Sequence, residues 1–171
     1  MKKFLFFLLI LSLIGCNLPQ KKDKSSSSFH CPRVFFSSED NMYIQSEQDT
    51  LSIDNLSLKA ELNNFAINEN CIQSNEIWII PIDILIVVKP LDNISNSEID
   101  IPIYASLLDE NDNILETQYF SISGFINKNK QLMRFVESDI NDKITIVTSN
   151  FDFKNVVIGF MLDNKKREIL N

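Results

Sequence analysis

Apolar residues are arranged along this chain in two ways. Residues 4–11 form an unbroken apolar run, extended past Ser12 by Leu13 and Ile14. From Val34 onward the apolar positions recur in shorter runs dominated by Ile, Val and Phe, mostly alternating with polar positions at a period of two. In an extended chain that period places successive side chains on opposite faces, so the runs predict half-buried strands. The predicted strands cover 34–36, 56–67, 77–88, 99–108, 114–122, 132–136, 144–147 and 153–162, about eight in all.

Local breaks refine these elements. Leu56, Leu58, Ala60 and Leu62 alternate, but Asn63 and Asn64 interrupt the pattern before Phe65 and Ile67, which predicts a bulge. The run 77–88 is the longest, and its β-branched content makes it the central strand. Within it Pro81 cannot donate to a sheet ladder, so an edge position or a bulge is expected there. Residues 109–113, all Asp, Glu or Asn, separate two apolar runs and predict a hairpin loop. Segments 137–142 and 165–170 have room for a turn of helix at most, and neither is assigned one. Beyond Gly15 the only glycines are Gly124 and Gly159, so turns must rely on Asn and Asp, which tolerate left-handed backbone angles. These elements define an all-β, immunoglobulin-like antiparallel sandwich. The alternative is a lipocalin-like barrel, against which the lack of a Gly-x-Trp motif around Trp78 counts.

Lys2 and Lys3 precede the N-terminal apolar run, the order of a secretory signal. The run is about eleven residues long where a membrane span needs about twenty, so it serves export rather than anchoring. Leu13, Ile14, Gly15 and Cys16 resemble the lipobox of bacterial lipoprotein precursors, which lipoprotein signal peptidase reads. The resemblance implies cleavage before Cys16, whose thiolate takes a diacylglycerol group, with the small Gly15 leaving the adjacent peptide bond open to the protease. Two acyl chains, palmitate among them, give durable attachment at roughly 0.8 kcal/mol per buried methylene. Asn17 stands where an aspartate would resemble an inner-membrane retention signal, which favours the outer membrane, facing the periplasm. Residues 1–15 are then the signal peptide, 16–29 a polar tether containing Lys21, Lys22, Lys24 and four serines, and 30–171 the domain.

Charge narrows the partners. Without residues 1–15, and hence Lys2 and Lys3, the chain carries 14 basic and 23 acidic residues, a formal charge of −9. A domain this acidic has no electrostatic basis for binding nucleic acid. The same acidity disfavours broad adhesion to anionic headgroups, leaving the N-terminal lipid as the expected membrane contact. About 140 residues suffice for one domain with its own core. Cys31 and Cys71 are the two cysteines left besides Cys16, and in an oxidising compartment they predict a disulfide.

Catalytic constellations are hard to assemble from this composition. His30 is the only histidine, at the end of the tether, and no Gly-x-Ser-x-Gly turn occurs. One histidine and two cysteines forty residues apart do not make a closed zinc site. Phosphate-cradling loops need clustered glycines, which are missing. Asp109, Asn111 and Asn113 match the first ligand positions of an EF-hand, but Ile114 stands where glycine should turn the chain and Phe120 where a bidentate glutamate should close the shell, so a hairpin turn is the better reading. The carboxylate pairs Glu39 with Asp40 and Asp139 with Asp142 carry no assigned role. The aromatic residues, among them Phe35, Tyr104, Tyr119, Phe125, Phe153 and Phe160, are expected mostly in the core. The sequence thus predicts a non-enzyme with no cofactor and no metal.

Beyond the lipobox, Cys31, Pro32 and Val34, then Cys71, residues 104–115 and residues 157–162 resemble a group of small alphaproteobacterial lipoproteins with no assigned activity. Where that group carries a glycine in the hairpin loop, this chain has Asn113. The resemblance implies the fold and the envelope address and adds no mechanism. The expected function is a non-catalytic interaction or scaffolding module with an envelope protein as partner. The alternative is a carrier of a lipid or another small apolar ligand, which requires an internal cavity.

Overall fold

A computed structural model describes residues 31–170 apart from Asp49, Asp92 and Asn93. The expected signal peptide with Leu13, Ile14, Gly15 and Cys16, the expected tether and His30 lie outside the described residues. In chain order the elements are β1 (Arg33–Phe36), β2 (Met42–Gln45), β3 (Leu58–Ala66), β4 (Ile72–Gln73), β5 (Trp78–Pro90), β6 (Glu98–Leu108) and β7 (Ile114–Phe125). They continue with β8 (Lys128–Asn129), β9 (Arg134–Phe135), β10 (Ser138–Thr148), β11 (Asn155–Phe160) and the helix α1 (Asn164–Leu170).

One sheet has the order β1-β11-β6-β7, with β1 parallel to β11 and the other pairs antiparallel. The second has the order β10-β5-β3-β2, all antiparallel, with β4 added beside the start of β5. Neither closes into a barrel, and together they make an all-β sandwich. Its last two strands, β10 and β11, lie in opposite sheets, whereas an immunoglobulin domain keeps its last two strands side by side in one sheet. The strand order here is therefore a different one.

The period of two explains the core. On β5, Ile80, Ile82, Ile84, Ile86 and Val88 are fully buried, and Ile101, Ile103, Ala105 and Leu107 do the same on β6. Ile140, Ile144 and Ile146 of β10 and Val156, Ile158 and Phe160 of β11 complete one continuous cluster. The core is thus mainly aliphatic. Phe153 and Phe160 are buried, but Phe35, Tyr119, Phe125 and Phe151 are exposed, contrary to the expectation that aromatic residues fill it.

The two lateral edges are closed differently. Along one, Gln118 of β7 donates to the Val147 carbonyl of β10 (2.8 Å), and Thr148 bonds Glu116. Along the other, residues 37–41 carry the chain from one sheet to the other. Ser37 N–H donates to the Ile158 carbonyl (2.8 Å), Phe160 N–H to the Asp40 carbonyl (2.7 Å), and Leu62 N–H to the Asn41 carbonyl (3.0 Å).

Several local predictions can be compared with these elements. The register shifts between Leu62 and Asn64, the bulge expected there. The central position of β5 holds, and Pro81 faces Thr145 of β10 on one side only. On its other side the pairing with β3 stops at Asp83 and that with β4 begins at Ile79, so a locally open ladder accommodates a residue without an N–H. Residues 109–113 are the β6–β7 loop, with Asp112 at φ 61° supplying the left-handed position. Segment 137–142 is not helical. Its alternation of Ser138 and Ile140 inward with Asp139 and Asn141 outward makes it the first half of β10. Residues 132–136 form no core strand, because Leu132 and Met133 occupy the turn between the two-residue strands β8 and β9.

Candidate functional site

Cys31 and Cys71 are joined by a disulfide, their Cα atoms 5.3 Å apart. It ties the residues before β1 to the residue preceding β4, the pairing the sequence predicts. Cys71 is buried in the core, and its N–H faces Cys31 Sγ at 3.2 Å.

The metal-like loop is used otherwise. Asp109 Oδ1 accepts from the N–H groups of Asn111 (2.8 Å) and Asn113 (2.9 Å), and Oδ2 accepts from Asn113 Nδ2 (2.9 Å). These bonds, led by the Asn113 side chain, hold the Asp109 carboxyl below the usual carboxylate range. The carboxylate caps the turn rather than facing a common site with Asn111 and Asn113. No group of three or more His, Cys, Asp or Glu side chains placed to hold a metal occurs among the described residues. Asp139 and Asp142, three apart on one strand, point to opposite faces and form no pair.

Asp40 belongs to a cluster that the sequence concealed. It is buried, and its carboxylate meets Arg167 of α1, with Nη1 2.6 Å from Oδ1 and Nη2 3.1 Å from Oδ2, and accepts from the Tyr104 hydroxyl at 2.8 Å. Burial, and then the Asp40 carboxylate, raise the Tyr104 pKa above its ordinary value, against a bond to Ser37 that lowers it. The Tyr104 ring can lie there because Gly159 beneath it has no Cβ; one would come within 2.6 Å of the hydroxyl. One residue away, Lys166 stands 4.3 Å over the ring of Tyr43 and donates to its hydroxyl at 3.1 Å. The cluster pairs Asp40 with Arg167 and clamps α1 to the β2 side of the sandwich. Its members are 64 and 127 residues from Asp40 in sequence, a separation that leaves no local signal.

Two open grooves lie at opposite ends of β5. One of about 540 Å³ runs between Cys31, Trp78, Phe151 and Phe153 at the end where the described chain begins. The larger, about 860 Å³, is bounded by Lys89, Pro90 and Ile94 on one side and by Lys128, Met133 and Arg134 of the β8–β9 hairpin on the other. Lys89 and Glu137 face each other across it at 3.8 Å. Glu47 closes its neighbourhood: its carboxylate accepts from the Ser95 hydroxyl, from Ser95 N–H (2.8 Å) and from Asn96 N–H (3.2 Å), which lowers its pKa. Sequence reasoning missed this end of the molecule, although Lys128, Lys130 and Arg134 with no acid from 127 to 136 were a legible signal.

No protein-family model matches the chain, and neither the curated proteins nor the solved structures hold a match to it.

Proposed function

We propose that the chain is the precursor of a bacterial lipoprotein, cut before Cys16 and held on the membrane by acyl chains on that cysteine. Its β-sandwich then acts as a non-catalytic interaction or scaffolding module of the cell envelope, on the periplasmic face of the outer membrane. One observation carries this: Lys2 and Lys3, an apolar run too short to span a bilayer, and Leu13-Ile14-Gly15-Cys16 follow one another in the order that export and lipidation require. The Cys31–Cys71 bond supports export, because such bonds persist in oxidising compartments. The interior favours a module over a carrier. Ile80, Ile82, Ile84, Ile101 and Ile103 have no accessible surface, whereas a ligand cavity between the sheets would leave some on them.

Labelled palmitate should enter the wild-type protein in growing bacterial cells and be absent from Cys16→Ala. Equal labelling of both would remove the anchor. Crosslinking in intact cells should then recover an envelope protein with the lipidated form.

A further inference from the structure

The β8–β9 hairpin combines exposed apolar side chains with a cluster of cations. Leu132 is 57% and Met133 72% exposed at its turn, and Phe125, next to the hairpin at the end of β7, is 68% exposed. Lys128, Lys130 and Arg134 flank that turn, and residues 127–136 contain no carboxylate, in a chain whose formal charge is −7. The hairpin itself is thus opposite in sign to the whole, while Glu137, one residue beyond it, pairs with Lys89 at 3.8 Å and Glu98 lies across the ladder from Phe125. Lys128 sits 5.4 Å from the Phe135 ring and makes no ion pair with an acid among the described residues.

The turn is also built rather than loose. Asn129 Oδ1 accepts from the N–H groups of Gln131 (2.9 Å) and Leu132 (3.0 Å), Val136 N–H donates to the Asn127 carbonyl (2.9 Å), and Ser138 Oγ accepts from Asn127 N–H (2.8 Å). Met133 adopts φ 51°, a conformation that bulky residues rarely take, and it holds this residue's side chain exposed at the tip. Presenting apolar side chains to water gains nothing for folding. A ring of cations around them suits a surface that is anionic outside and apolar beneath.

We infer that the β8–β9 hairpin is a second membrane contact: Lys128, Lys130 and Arg134 bind anionic phospholipid headgroups while Leu132, Met133 and Phe125 enter the interface. Charge complementarity selects this occupant, since the combination of cations and apolar tip is that of interfacial membrane elements. The inference uses the proposed anchor for proximity. Residues 16–30 span up to about 50 Å when extended, more than the roughly 40 Å from Trp78 to Pro90 along β5, so a domain tethered at one end can bring its other end to the same bilayer.

The test uses the full mature chain, reconstituted through its own lipid into vesicles of phosphatidylethanolamine and brominated phosphatidylglycerol. Trp78 is the only tryptophan and lies at the far end of β5, so the wild type supplies the reference, and Leu132→Trp reports the tip. The added emission should shift to the blue and be quenched by brominated phosphatidylglycerol but not in vesicles of brominated phosphatidylcholine, with Trp78 unaffected. Adding Lys128→Gln, Lys130→Gln and Arg134→Gln should lower the docked-to-free ratio about 100-fold, about fivefold for each cation. Unquenched emission from anchored protein overturns the inference, as does quenching that survives the triple substitution. Failure of the anchor shows separately as missing acyl label. The same Leu132→Trp chain is then added to the anionic vesicles at low salt, where quenching supports the tip contact and its absence overturns it.

Discussion

Gly159 and Tyr104 make one interaction out of two residues on neighbouring strands. They face each other across β11 and β6, and the ring occupies the space that a side chain on Gly159 would need. Gly159→Ala should therefore displace Tyr104, break its 2.8 Å bond to Asp40 and destabilise the fold by about 2 kcal/mol, within the range for overpacking a filled site. In a Tyr104→Ala background the obstacle is gone, and alanine is a better strand residue than glycine, so the same substitution should be neutral or slightly stabilising. Urea unfolding of the four proteins of this cycle measures the difference. Additive costs would show that the two residues do not share the space. Nothing at Gly159 or Asp40 announces this in sequence: Asp40 stands beside Glu39 in an apparently ordinary acidic pair, and both its partners come from remote strands or helices.

At the scale of elements, legibility followed length and alternation. β5, β6 and β7 have long runs with a period of two, and the sequence places them within a few residues. β2 escaped notice because four residues, Met42 to Gln45, are too few to show a period. The β8–β9 hairpin was misread because Leu132, Met133, Phe135 and Val136 resemble a buried strand in composition while their backbone turns. The helix α1 has seven residues and no buried side chain, too short to be stable alone, so it depends on what it touches. Arg167→Met should leave the buried Asp40 carboxylate without its cation. The expected cost is about 2 kcal/mol, less than for a fully buried pair because Arg167 is partly exposed to water. Asp40→Asn added to Arg167→Met should recover part of that loss, whereas a purely packing role for the arginine stem predicts no recovery. Urea midpoints at neutral pH distinguish the two.

On the scale of the whole molecule, alternation predicted that two sheets would pack on each other but carried no information about which strands are neighbours. The β5–β10 and β1–β11 pairs join segments about fifty or more residues apart, and their partners are selected by complementary register rather than by local sequence. Net charge was similarly uninformative about place, since a formal value of −9 for the chain beyond residue 15 conceals the basic hairpin. β1 is where this long-range order is most vulnerable. It is four residues long, pairs only with β11, and lies at the edge of its sheet. The Cys31–Cys71 bond fixes the residues just before it to the opposite sheet, where Cys71 precedes β4. Closing a forty-residue loop restricts the unfolded chain by about 3–4 kcal/mol in the chain-entropy model, a large share of the 5–15 kcal/mol by which domains of this size are stable. Cys31→Ser with Cys71→Ser should thus lower the unfolding free energy by that amount, and reductant should lower the wild type to the same value and leave the double variant unchanged. A loss below about 1 kcal/mol would mean that β1 stays docked through Val34 and its β11 ladder alone, and that the disulfide adds little to the fold.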